Sequence, residues 1–151
     1  MSTPVNSTTM KSLSRIAKGI IALLALTAIV ACNNSDDISD IFIGHEWKLT
    51  YIEDGNMRRW PSQENAYSLT FGASRFNAAT PNGGKITGRW SADGKTRSFR
   101  CTNIMTEGIG ANDTIARLMK QMLGEASSYN GDIHWLQIRT EKNHFMQFYN
   151  R

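Results

Sequence analysis

The chain has 151 residues, 40% of them hydrophobic, with 17 Lys and Arg against 13 Asp and Glu for a formal charge of +4. That length suits one small domain with a real core, not two. The positive charge makes no case for nucleic acid, because beyond residue 31 the balance is 14 basic to 13 acidic residues.

The excess lies in a leader. Lys11, Arg15 and Lys18 precede an apolar run from Gly19 to Ala31 that is interrupted by Thr27, and the run ends Ile29-Val30-Ala31-Cys32. A basic start, a short apolar stretch and small residues at the cut describe a secretory signal peptide over residues 1–31. The run is shorter than the ~20 residues a membrane span needs. Ending on Cys32, it resembles the lipobox of bacterial lipoproteins. That implies cleavage before Cys32, acylation of its thiol and attachment to the membrane through the N-terminal lipid. Met10-Lys11-Ser12 is the more natural beginning of such a signal, so residues 1–9 read as a start-site artefact.

Residues 32–43 contain Asn33-Asn34-Ser35-Asp36-Asp37 and Asp40, an acidic stretch read as a tether between lipid and fold. Its serine and acids resemble the export tract that sends lipoproteins to the cell surface in some diderm bacteria. The expected location is the outer membrane, facing outward; the alternative is a periplasm-facing lipoprotein with a plain solvated linker.

From Glu46 the pattern has period two, with Trp47, Leu49 and Tyr51 on one face of a strand. Asp54-Gly55-Asn56 turns the chain. Arg58-Arg59-Trp60-Pro61 then sets an aromatic beside two guanidinium groups, suited to stacking on sugar rings or pairing with anions. The competing reading is a strand end with exposed arginines and a Trp lid over a barrel mouth. Tyr67, Leu69 and Phe71 alternate again, and another strand covers 74–78. After the turn Pro81-Asn82-Gly83-Gly84, residues Ile86, Gly88 and Trp90 alternate up to Asp93-Gly94. That pair predicts a type I′ hairpin joining 85–92 to 95–102, where Phe99 and Cys101 share a face.

Ile115, Leu118, Met119, Met122 and Leu123 fall on one helical stripe, with Asp113 as N-cap and Gly124 as stop. Strands near 133–139 and 144–150 close the chain. In the first of these Trp135 points away from Leu136 and Ile138, which makes it a second candidate binding residue. Parity leaves open whether it meets solvent or packs under the helix.

Taken in order, several pieces resemble the META domain, the family of the HslJ-type heat-shock lipoprotein. They are Gly44-His45-Glu46-Trp47-Lys48-Leu49, Gly88-Arg89-Trp90-Ser91-Ala92-Asp93-Gly94, the late helix, Tyr129-Asn130-Gly131, and a last strand holding Phe145 and Phe148. The resemblance implies a β-rich α+β domain over 44–151, a compact antiparallel barrel-like sheet with one packed helix. Asn82-Gly83-Gly84 stands where META domains carry Gly-Cys-Asn, so no disulfide is transferred. The opening Gly/Trp strand also resembles lipocalin-like domains, making a calyx the alternative fold.

Chemistry is sparse. His45, His134 and His144 lie far apart without ligand spacing, so no metal is expected. There is no GxSxG elbow or P-loop, Gly108-Ile109-Gly110 fails the phosphate-cradle register, and Glu107 and Asp113 make an ordinary polar loop. With Cys32 acylated, Cys101 has no partner and reads as a buried structural thiol. Asp113-Thr114-Ile115 resembles an O-glycosylation acceptor of exported proteins. The expectation is a non-catalytic binding or envelope-maintenance lipoprotein without cofactor or nucleic acid, whose partner is a glycan or a protein. A small hydrolase is the rival, as is a secreted inhibitor presenting the segment 103–111.

Overall fold

Alternation between core-facing and outward residues builds nine antiparallel strands in the computed structural model, which describes residues 34–151. The expected signal peptide and Cys32 lie outside the described residues. The strands are β1 (Glu46–Asp54), β2 (Met57–Arg59), β3 (Ser68–Phe71), β4 (Arg75–Ala79), β5 (Lys85–Asp93), β6 (Ser98–Glu107), β7 (Ala126–Gly131), β8 (Trp135–Thr140) and β9 (Phe145–Asn150). They run in the order β2-β1-β3-β4-β5-β6-β7-β8-β9, and β1 also pairs with β9. That last pairing closes an eight-stranded barrel, with β2 as an extra strand folded back on β1. Along one edge β1 pairs first with β3, as in Trp47↔Leu69, and then with β2, as in Ile52↔Arg59. The expected antiparallel barrel-like fold is the one observed.

Its interior is packed solid. Trp47, Ile52, Leu69, Phe76, Ile86, Phe99, Leu136, Ile138 and Phe148 are all essentially inaccessible. The calyx of the lipocalin-like alternative is therefore filled by side chains.

Two helices complete the core. Helix α2 (Thr114–Gly124) lies between β6 and β7 and buries Ala116, Met119, Met122 and Leu123. Ile115 and Leu118 sit at the margins of this face and are only partly buried. Asp113 caps the helix as expected, its Oδ1 accepting from the Ala116 amide at 2.8 Å. Gly124 is the last helical residue, and the cap falls on Glu125, whose N–H reaches the carbonyls of Gln121 and Leu123.

Helix α1 (Asn34–Phe42) corrects the expected tether. Ile38, Ile41 and Phe42 fall at i, i+3 and i+4, a short apolar stripe hidden in the acidic run. Ile41 and Phe42 belong to the core cluster, with Ile38 packed against it. Phe42 meets Phe71, Trp90, Phe99 and Tyr129. The folded unit thus begins at residue 34 and not at 44.

Other differences are local. Asp93 and Ser98 pair, so the β5–β6 connection is a four-residue loop and not a two-residue type I′ turn. Asp93 Oδ1 accepts from the amides of Lys95 and Thr96, an Asx arrangement that the Asp-Gly signal did not distinguish. Residues 103–107, expected within an exposed inhibitory segment, continue β6 through a bulge at Asn103 and Ile104 opposite Gly88. Strand β7 was not expected as a strand at all.

Candidate functional site

A bulge sets up the site. In the β1–β9 ladder Leu49 pairs with Phe148 and Tyr51 with Gln147, so Thr50 is an extra residue on β1. The insertion shifts parity: Trp47, Leu49 and Ile52 point into the barrel, while Tyr51, expected beside them, turns outward. There it gathers partners. The Arg58 guanidinium lies 4.4 Å over the Tyr51 ring and 5.9 Å from the ring of Trp60. The rings of Trp60 and Phe145 are centred 6.3 Å and 5.9 Å from Tyr51. Glu53 fixes Arg58, accepting from its Nη2 at 2.8 Å and its Nε at 3.2 Å. That carboxylate holds the guanidinium pKa above its ordinary value.

The same wall continues over β9 and β8 in cross-strand rows. Tyr51, Gln147 and Gln137 form one row, and Lys48, Tyr149 and Trp135 the next. Gln137 donates to Gln147 Oε1 at 3.1 Å, and Arg139 donates to Gln137 Oε1 at 2.8 Å while lying 5.0 Å over Phe145. Both glutamines are buried although they belong to the outer wall.

Of the residues picked from sequence, Arg58 and Trp60 come together with Tyr51. Trp135 is half-buried on the same wall, opposite Tyr149, which answers the question parity left open. Arg59 does not join them. Strand alternation sends it to the other face, beside Ile52, where its Nε is buried without a hydrogen-bond partner. Trp60 is no lid over a barrel mouth: it stands 60% exposed against the outer wall. Tyr51 and Tyr149 escaped the sequence reading. Tyr149, out of phase with Phe148, was readable from alternation, whereas Tyr51 depends on the bulge.

Between this wall and the β2–β3 connection runs a groove of about 520 Å³, lined by Lys48, Thr50, Trp60, Glu64, Tyr149 and Asn150 among others. Its charges are paired, Lys48 with Glu46 at 2.6 Å and Arg151 with Glu64 at 2.5 Å.

Several other titratable groups are tied into the frame. His45 bridges α1 and β9: the Asn150 amide donates to Nδ1 at 2.7 Å, so Nε2 carries the proton and donates to the Asp40 carbonyl at 2.7 Å. His144 Nδ1 faces Asp54 at 3.1 Å. The backbone amide of His134 donates to Asp132 Oδ1 at 2.7 Å, which lowers that carboxyl's pKa. Tyr67 donates to Asp113 at 2.7 Å; burial first, and that carboxylate second, raise its phenol. Cys101 lies inside the barrel, where burial pushes its thiol up to about 12.

No curated protein matches this chain. Its barrel is similar to the crystal structure of a DUF4847 family protein from Bacteroides vulgatus, with 21% identity and a TM-score of 0.58 over 74% of this chain and 96% of that one. It is also similar to the NMR structure of a protein from Burkholderia xenovorans, with 12% identity and a TM-score of 0.61 over 79% and 88% of the two chains. The META resemblance is overturned, and with it the HslJ-like reading. It rested on short separate pieces, whereas a different family model matches residues 33–150 as one span. That model is described as a domain of unknown function, and the chain belongs to its family, DUF4847.

Proposed function

We propose that this protein is a lipid-anchored envelope lipoprotein, displayed at the cell surface, that binds its partner without catalysis through the outer barrel wall around Tyr51, Arg58 and Trp60. The observation that carries the binding half is the placement of these side chains. With the barrel interior filled, a ligand must be held outside. An outward cluster of Tyr, Trp and Arg is the composition that dominates binding energy at interfaces. The rings are already held by neighbours, Tyr51 between Arg58 and Phe145, so little side-chain entropy remains to be lost on binding. The anchor half rests on the leader ending at Cys32. Its polar sequel Asn33-Asn34-Ser35-Asp36-Asp37 supports the outward face.

Intact-mass analysis of the protein from its native envelope tests the anchor. Acylated Cys32 at the new N-terminus is expected, with Cys32→Ala accumulating as precursor. An unmodified residue 32 or cleavage elsewhere overturns the anchor. Protease added to intact cells should remove the domain. Protection of the wild type, while a known surface protein is shaved, assigns it to the periplasmic side and overturns surface display.

A further inference from the structure

We infer that the groove between Trp60 and Tyr149 is a saccharide subsite taking an uncharged sugar, one ring of which stacks on the Trp60 indole. This deepens the proposal above and rests on its placing of the binding face on the outer wall.

Four observations converge on that ligand chemistry. Trp60 and Tyr149, 60% and 48% exposed, are the large aromatics left most open to solvent, whereas Trp47 is fully buried. Both border the same groove. A pyranose offers one face of C–H groups for such a ring and an edge of hydroxyls for polar neighbours.

The polar lining has the matching character. Thr50 brings a hydroxyl, Asn65 an amide and Glu64 a carboxylate, so the lining includes both donors and acceptors. Sugar hydroxyls both donate and accept and can use such a mixed set.

Charge narrows the class further. Lys48 is held by Glu46 and Arg151 by Glu64, so each cation on the groove has its counter-ion in place. With both cations already paired, an anionic ligand finds no unpaired positive charge on the groove, and a cationic one finds Glu64 already taken. A neutral ligand disturbs neither pair. The size also fits. About 520 Å³ lies within the range of small-molecule sites and leaves room for a short oligosaccharide.

The experiment titrates the full mature protein, followed by NMR of the indole N–H groups, with maltotriose and cellotriose as neutral probes and a trigalacturonate as the anionic one. Binding of a neutral trisaccharide should shift the Trp60 indole resonance and leave that of Trp47 in place. Trp60→Ala and Tyr149→Ala should each weaken it by roughly tenfold or more, and Trp60→Phe by less. Both side chains are exposed enough for the variants to fold, which their melting curves check. Binding unchanged in Trp60→Ala overturns the subsite. So does a response to trigalacturonate alone, or no response to either neutral sugar at millimolar concentration. The mass of residue 32 and the protease test on cells report on the anchor and on surface display alone, and Tyr51→Ala, which removes the centre of the outer-wall cluster without lining the groove, separates failure of that wider face from failure of this subsite.

Discussion

Phe42 lies nearly parallel to Phe99, ring centroids 5.5 Å apart and planes 17° from each other. It meets Phe71 and Tyr129 edge-on at 4.9 Å and 5.0 Å. The acidic segment that forms α1 thus delivers the ring on which four barrel aromatics converge. Phe42→Ala should cost about 3–5 kcal/mol, as expected for emptying a fully buried aromatic site. Phe42→Leu, which keeps much of the volume, should cost less. Urea denaturation followed by near-UV circular dichroism checks both. An unchanged midpoint for Phe42→Ala would mean that α1 is only an accessory to the barrel.

Gly88 sits where β6 carries an extra residue, and the absence of a side chain there has a steric cause. A Cβ at Gly88 would stand 2.6 Å from the Phe76 ring and 2.8 Å from the Thr102 carbonyl oxygen. The ring can tilt, but the backbone oxygen is fixed by the ladder. Gly88→Ala should therefore destabilise by roughly 1–3 kcal/mol. Gly72→Ala is the control, since its Cβ would meet the nearest atom at an ordinary 3.6 Å. Thermal melts of the two variants should separate clearly.

Much of the barrel was legible because its strands alternate cleanly: Trp47 and Leu49, Ile86 and Trp90, Phe99 and Cys101 all face where period two sends them. Three bulges set the limit of that legibility. One extra residue at Thr50 turns Tyr51 out of the core, and with it the centre of the candidate site. Others at β6 and at Ser127 of β7 obscured where those strands run. A bulge is a two-against-one count across a ladder, so it cannot be read from one strand alone. Helix α1 was hidden for a different reason. Its stripe is only three residues long, and the acids around it carry the composition of a linker, so tertiary packing of Phe42 decided the matter and local propensity did not. Arg58 and Arg59 show the converse: adjacent in sequence, they are separated by the same alternation that made the strands readable.

Helix α2 gives a graded test of burial. Met119 is fully buried, Leu118 partly so, and Lys120 exposed. Met119→Asp places an unpaired carboxylate in the core and should destabilise by several kcal/mol. Leu118→Asp should cost less, because its carboxylate can reach water at the helix margin. Lys120→Asp should stay within about 0.5 kcal/mol of wild type. Denaturation midpoints in that order support the placement; equal losses at 118 and 119 would rotate the helix.

Cys101 links burial to pH. Enclosure in the barrel raises its thiol from 9.0 to about 12, with no counter-charge involved. The unfolded chain loses this proton near its ordinary value, while the folded chain keeps it. Between those values the native state therefore binds more protons than the unfolded state, and stability must fall as pH rises. The contribution is fully present below pH 9 and is lost as pH climbs toward 12. Tyr67, whose phenol is also raised, adds to the same alkaline loss. Cys101→Ala should flatten the decline of stability across this window and leave the share due to Tyr67. At neutral pH the native thiol should react slowly with a disulfide reagent and rapidly after denaturation. Urea melts at stepped pH compare the two slopes, and identical slopes would place the Cys101 thiol in contact with water.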